Sequence, residues 1–83
     1  MNTDDLINNI VQNAIPYEID LIDTMLLSDD LGIDSYKCVE IIISIEDELG
    51  IEFSLSSLNI DDLKTLADLK KVTKEEAIRN NAL

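Results

Sequence analysis

The sequence predicts an all-α domain: a small four-helix bundle, three longer helices plus one short helix, with a long loop between helices 1 and 2. Three observations carry this. Leu6, Ile7, Ile10, Val11 and Ala14 recur at helical spacing. The run from 35 to 49 exceeds the usual strand of about five or six residues. "TLAD" at 65 to 68 has the [ST]-x-x-[DE] form of a capped helix start.

Taken in order, the first helix is expected from about 3 to 14, with Asn2 or Thr3 as its cap, Asp4 and Asp5 at the positive end of the macrodipole and Pro16 at or just beyond its end. Residues 15 to 32 have no clean period, yet Tyr17, Ile19, Leu21, Ile22, Met25, Leu26, Leu27 and Leu31 make them apolar. Such a loop must pack over the helix ends, with room for a short helical turn near 20 to 27, and Gly32 closes it. "VEIIISI" taken alone suits a strand, but its length, the tail "EDEL" and the stop at Gly50 read as a helix over 35 to 49. Val39, Ile41, Ile42, Ile45 and Leu49 then face the core, while Tyr36, Glu40, Ile43 and Asp47 share another face, acidic with two exposed apolar members, which suits docking to a partner. One or two helical turns fit near 56 to 62. The last helix follows, with Leu66, Leu69 and Val72 at i, i+3, i+6. A second capping pattern at Thr73 and Glu76 leaves open whether it continues, restarts or frays over 79 to 83.

Composition bounds the function. The 83 residues make a single domain, 1 to 83, and 46% apolar residues suffice to fold it despite a net charge of -12. Residues 1 to 63 hold fifteen acidic side chains against Lys37 alone, whereas residues 64 to 83 hold five basic ones against three acids. This field repels nucleic acid and anionic lipid and attracts proteins with basic patches. No apolar run of about 18 residues is present, and "MNTDDLINN" lacks a signal peptide's basic segment and apolar core, so a cytoplasmic monomer is expected. Cys38 is the one cysteine and there is no histidine, which removes histidine-activated nucleophiles and the usual zinc ligand sets. "DDLGID" is not a calcium loop: with Gly32 at the sixth position, Leu27 would be the first ligand. No resident metal is expected.

The stretch "DLGIDS" at 30 to 35, the helix "YKCVEIIISIEDELGIEF" behind it and "TLADL" at 65 to 69, in the order helix, long loop, helix, short helix, helix, resemble the acyl carrier proteins over most of the chain. The resemblance implies that Ser35 receives a 4′-phosphopantetheine arm from coenzyme A, whose thiol carries acyl groups as thioesters between fatty-acid or polyketide enzymes. It implies that Asp34 lies beside the attachment site, where it can aid the metal of the loading transferase. It implies too that Glu40, Glu46 and Asp47 meet basic docking patches on acyl-loading and synthase enzymes. The chain would be acted on by the phosphopantetheinyl transferase and those enzymes, and not itself be an enzyme. Two positions depart from the family's pattern: Tyr36 stands where leucine is usual, and Lys37 where an acid is frequent.

Each residue also has a plainer reading. Ser35 can be an N-cap, with Asp34 as the alternative cap if the serine is modified. The acids can be a solvated face, Tyr36 and Ile43 can pack against the loop, and Cys38 reads as a small apolar residue. Two rivals remain in play. One is a peptidyl or aminoacyl carrier of a nonribosomal peptide pathway, which Tyr36 and Lys37 keep open. The other is an acidic helical interaction module in which Ser35 only caps a helix. A loaded carrier is also expected to shelter its cargo between helices 2 and 3, near Ile43, Ile45 and Leu58.

Overall fold

Asn2 starts the first helix: its Oδ1 accepts the Asp5 N–H at 2.8 Å, which settles the choice between Asn2 and Thr3. In the computed structural model, which describes residues 2–53 and 60–80, the order is α1 (Thr3–Ala14), α2 (Ser35–Leu49), a 3-10 turn at Ile60–Asp62 and α3 (Leu66–Arg79). Both long predicted helices fall on their expected spans. α1 ends because Pro16 pushes Ile15 into extended backbone, at φ -110° and ψ 152°. α2 ends at Gly50, which takes the left-handed conformation at φ 65° and returns its N–H to the Glu46 carbonyl. Of the short helix expected near 56 to 62, the 3-10 turn covers 60–62, and 56–59 lie outside the described residues.

Of the helical turn expected near 20 to 27, one hydrogen-bonded turn forms, with the Met25 N–H donating to the Ile22 carbonyl at 3.0 Å, and no helix follows from it. The start of α3 offers the segment other partners. The Leu66 and Ala67 N–H groups, which a helix cannot satisfy internally, donate to the Met25 and Asp23 carbonyls at 3.0 and 2.9 Å. Leu27 N–H donates to the Lys64 carbonyl at 2.8 Å, and Leu26 forms an isolated antiparallel bridge with Thr65. Lys70, mostly buried along its stem, reaches out to Asp23 at 2.6 Å and ties the same loop to α3. Asp30 then folds the chain back, its carboxylate accepting the Leu26 N–H at 2.7 Å, and Gly32 takes a positive φ of 67°.

α1 packs against both α2 and α3, and Ile7, Val11, Leu31, Ile41, Ile45, Leu66 and Leu69 form the fully buried centre. On α2 the buried stripe is Cys38, Ile41, Ile42 and Ile45. Val39, expected to face the core, is instead 41% exposed, and Leu49 is half-buried. The spacing i, i+3, i+4, i+7 begins at Cys38, one residue earlier than the β-branched run suggests, and that rotates Val39 off the stripe.

α3 continues unbroken through its second capping pattern. Thr73 is fully buried, and its hydroxyl donates back to the Leu69 carbonyl at 2.8 Å, so it is occupied inside the helix and does not start a new one. Arg79 and the Asn80 side chain both donate to the Glu52 carbonyl at 3.2 Å, tying the end of α3 to the segment after α2. Of the stretch expected to fray, 81–83 lie outside the described residues.

Candidate functional site

Two residues were candidates to cap α2, and the geometry assigns the task to one. Asp34 is the N-cap, in extended backbone, with Oδ1 accepting the Lys37 N–H at 2.7 Å. Ser35 is the first helical residue and is exposed. The reading of Ser35 as a mere cap is therefore corrected: the aspartate beside it does that work. Its hydroxyl is left outside the cap on a helix N-terminus, where unpaired N–H groups and the dipole favour an anion.

Ser35 opens onto a cleft of about 360 Å³. The loop supplies Leu26, Leu27 and Asp29, the start of α2 supplies Ile33, Asp34 and Cys38, and the segment before α3 supplies Asp61, Leu63 and Lys64. Leu27, Ile33, Cys38 and Leu63 are buried and make its interior apolar. The backbone hydrogen bonds between residues 23–27 and 64–67 fix two of these walls. Sequence reasoning missed this cleft, because the pairing depends on α3 donors that no local periodicity reveals. Of the residues expected near the cargo, Ile43 is exposed, Ile45 is fully buried and Leu58 lies outside the described residues.

Cys38 sits one turn along α2 from Ser35. Burial pushes its thiol above the ordinary value of 9.0, which keeps it protonated and unreactive near neutral pH.

Of the residues expected to meet partners, Tyr36, Glu40, Ile43 and Asp47 come together on the exposed face of α2, with Tyr36 72% and Ile43 51% exposed. Val39 joins that face. Glu46 lies apart from it: half-buried, it accepts the Phe53 N–H at 2.8 Å and secures the turn after α2. Glu40 is paired with Lys37 at 3.1 Å. The site's chemistry is thus a free hydroxyl at a helix start, an apolar cleft beside it and an acidic face with apolar members running away from it.

A family model described as a phosphopantetheine attachment site matches residues 5–72. The chain belongs to that family of carriers. Carriers of this family hold a covalently attached 4′-phosphopantetheine, and the residues fit it: the site offers a hydroxyl free of capping duty, a helix N-terminus for the phosphate and an apolar cleft beside them. The fold is similar to the solved structure of a protein assigned as an acyl carrier protein from Mycobacterium tuberculosis, at 27% identity and a TM-score of 0.78, covering 89% of this chain and 97% of that one. No curated protein matches the carrier at a significant level. The resemblance to acyl carrier proteins holds, and the reading as an unrelated interaction module gives way to it. Among the described residues no helix of the carrier is long and apolar enough to cross a membrane, and no cluster of side chains is arranged to hold a metal.

Proposed function

We propose that Ser35 is the attachment point of the arm, and that the loaded chain shuttles acyl groups among enzymes of fatty-acid or polyketide synthesis. The observation that carries this is the division of labour at the start of α2, where Asp34 takes the cap and leaves the Ser35 oxygen exposed. In loading, that oxygen bonds to the phosphorus of the arm delivered from coenzyme A, displacing the nucleotide part. The hydroxyl proton leaves to a base on the transferase, and this chain has no histidine that would take it. The bound arm supplies a thiol that holds cargo as a thioester. The chain's own contribution is positional: Asp34 keeps the first turn of α2 intact after the serine is modified, and it is the carboxylate placed to meet the transferase's metal. No step of the acyl chemistry belongs to this chain, which works as a substrate for other proteins.

Docking falls to Tyr36, Glu40, Ile43 and Asp47, which present acids around apolar side chains to enzymes with basic patches. Glu46 joins them with a weaker contribution, since its carboxylate already holds Phe53. The chain acts as a cytoplasmic monomer. The 3-10 turn at Ile60–Asp62 falls within the span expected of the short fourth helix.

Intact mass after incubation with coenzyme A and a broad-specificity phosphopantetheinyl transferase tests the assignment. One added phosphopantetheine, lost in Ser35→Ala, supports it; no addition where a control carrier is modified refutes it. A second reading, a peptidyl or aminoacyl carrier, is favoured by one feature. The Lys37–Glu40 pair at 3.1 Å removes part of the acidic signal nearest Ser35. Loading with acyl-ligase and with adenylation partners separates the two.

A further inference from the structure

A phosphate joined to Ser35 enters a cleft whose lining includes three carboxylates, Asp29, Asp34 and Asp61. Like charges in a partly enclosed hollow repel one another. One cation stands in the same lining: Lys64. Of the other basic residues, Lys37, Lys70, Lys74 and Arg79 are each paired, with Glu40, Asp23, Asp4 and Glu76, and Lys71 lines a different hollow. Lys64 has no carboxylate at its ammonium among the described residues, and it is exposed.

The backbone around Lys64 is held in place. Its N–H donates to the Asp62 carbonyl and to the Asp68 carboxylate, both at 3.1 Å, and its carbonyl accepts the Leu27 N–H at 2.8 Å. Both peptide groups are pinned, so the Cα is a fixed point in the cleft wall and only the flexible stem adjusts.

We propose that Lys64 is the counter-ion of the phosphodiester formed on Ser35, a positioning residue that draws the first segment of the arm over the apolar floor at Leu27, Ile33 and Leu63. This rests on Ser35 being the attachment point. The α2 N-terminus then supplies N–H donors on one side of the phosphate and Lys64 supplies full charge on the other. The arm is thereby turned inward along the cleft, away from the docking face of Tyr36 and Ile43.

The test uses the full chain in apo and holo forms, with intact mass confirming that the arm is on Ser35. Loading should shift the Lys64 side-chain Cε–H resonances and leave those of Lys71 in place, since Lys71 lines a different hollow with Asp4 and Asp23. The ³¹P resonance of the holo protein should move in Lys64→Gln, return in Lys64→Arg and stay unchanged in Lys71→Gln. Added salt should shrink the wild-type difference, because the pair is exposed to water. A holo protein with unmoved Lys64 resonances, and a ³¹P resonance identical in Lys64→Gln, overturns the counter-ion role while leaving the attachment intact. An arm that fails to form, or that survives Ser35→Ala, overturns the attachment reading and the counter-ion with it.

Discussion

At the start of α3, three successive N–H groups have acceptors: Leu66 donates to the Met25 carbonyl, Ala67 to the Asp23 carbonyl and Asp68 to the Thr65 hydroxyl. The Asp68 carboxylate answers by accepting the Thr65 N–H at 3.0 Å, closing a reciprocal capping box. At the start of α2 the provision is sparser. Asp34 accepts one N–H, that of Lys37, and the Ser35 and Tyr36 N–H groups have no protein acceptor among the described residues. The same elementary problem, four orphan donors at a helix end, is solved completely in one place and partly in the other. The complete solution anchors a loop. The partial one leaves donors and a hydroxyl facing outward, which is what a covalently added anion needs.

The sharpest way to test that difference is to remove the two hydroxyls. Ser35→Ala should abolish loading altogether, read by intact mass, while changing stability by less than about 0.5 kcal/mol, as expected for an exposed side chain with no structural bond. Thr65→Ala should do the reverse: loading persists, and urea denaturation shows a loss of about 1–2 kcal/mol from the broken cap. Equal destabilisation by both substitutions would remove the distinction between an anchoring end and an open one. A smaller effect is expected from Asp34, which holds a single donor. Asp34→Ala should cost about 1 kcal/mol, and Asp34→Asn should recover most of it, since asparagine caps as well as aspartate does. Loading of the Asn variant then isolates the carboxylate's charge: slower transfer with preserved stability assigns it a role toward the transferase's metal, and unchanged transfer leaves it as a cap only.

The two helix starts also differ in how readable they were. "TLAD" announced its box from local spacing, because cap and reciprocal acceptor lie three residues apart and both bonds are local. "DS" announced a cap without saying which residue held it, since either side chain can reach the same N–H. The long helices were legible, α1 through its period and α2 through its length and its glycine stop, except that Val39 leaves the core stripe, which begins one residue earlier at Cys38. The loop was legible only as something apolar that had to pack. Its path, and hence the cleft at Ser35, depends on the Met25 and Asp23 carbonyls meeting donors about forty residues away, which no window along the sequence can contain. Lys64 was legible only as part of a basic tail, and the Leu27 N–H to Lys64 carbonyl bond is what puts it in the cleft wall.

The smallest expected effect separates the two ends by pH. The Asp68 carboxyl is held below the ordinary value of 3.8, chiefly because the carboxylate accepts the Thr65 N–H and then the Lys64 N–H. A group whose pKa is lower in the folded state binds fewer protons there than in the unfolded chain, so its contribution is complete above the ordinary value and is lost as pH falls through the folded one. Asp4 is lowered as well, mainly by its bond to Lys74, but that pair is exposed and should be screened by added salt. Urea denaturation from about pH 6 down to about pH 2.5 at high salt should therefore retain a decline in stability that belongs largely to the capping box. Asp68→Asn keeps the shape and removes the charge, so it should be less stable near neutral pH and show a shallower decline below pH 4. An unchanged slope in that variant would mean that the closed end of α3 depends on the loop's carbonyls, and that its carboxylate adds no more than the single aspartate does at the open end of α2.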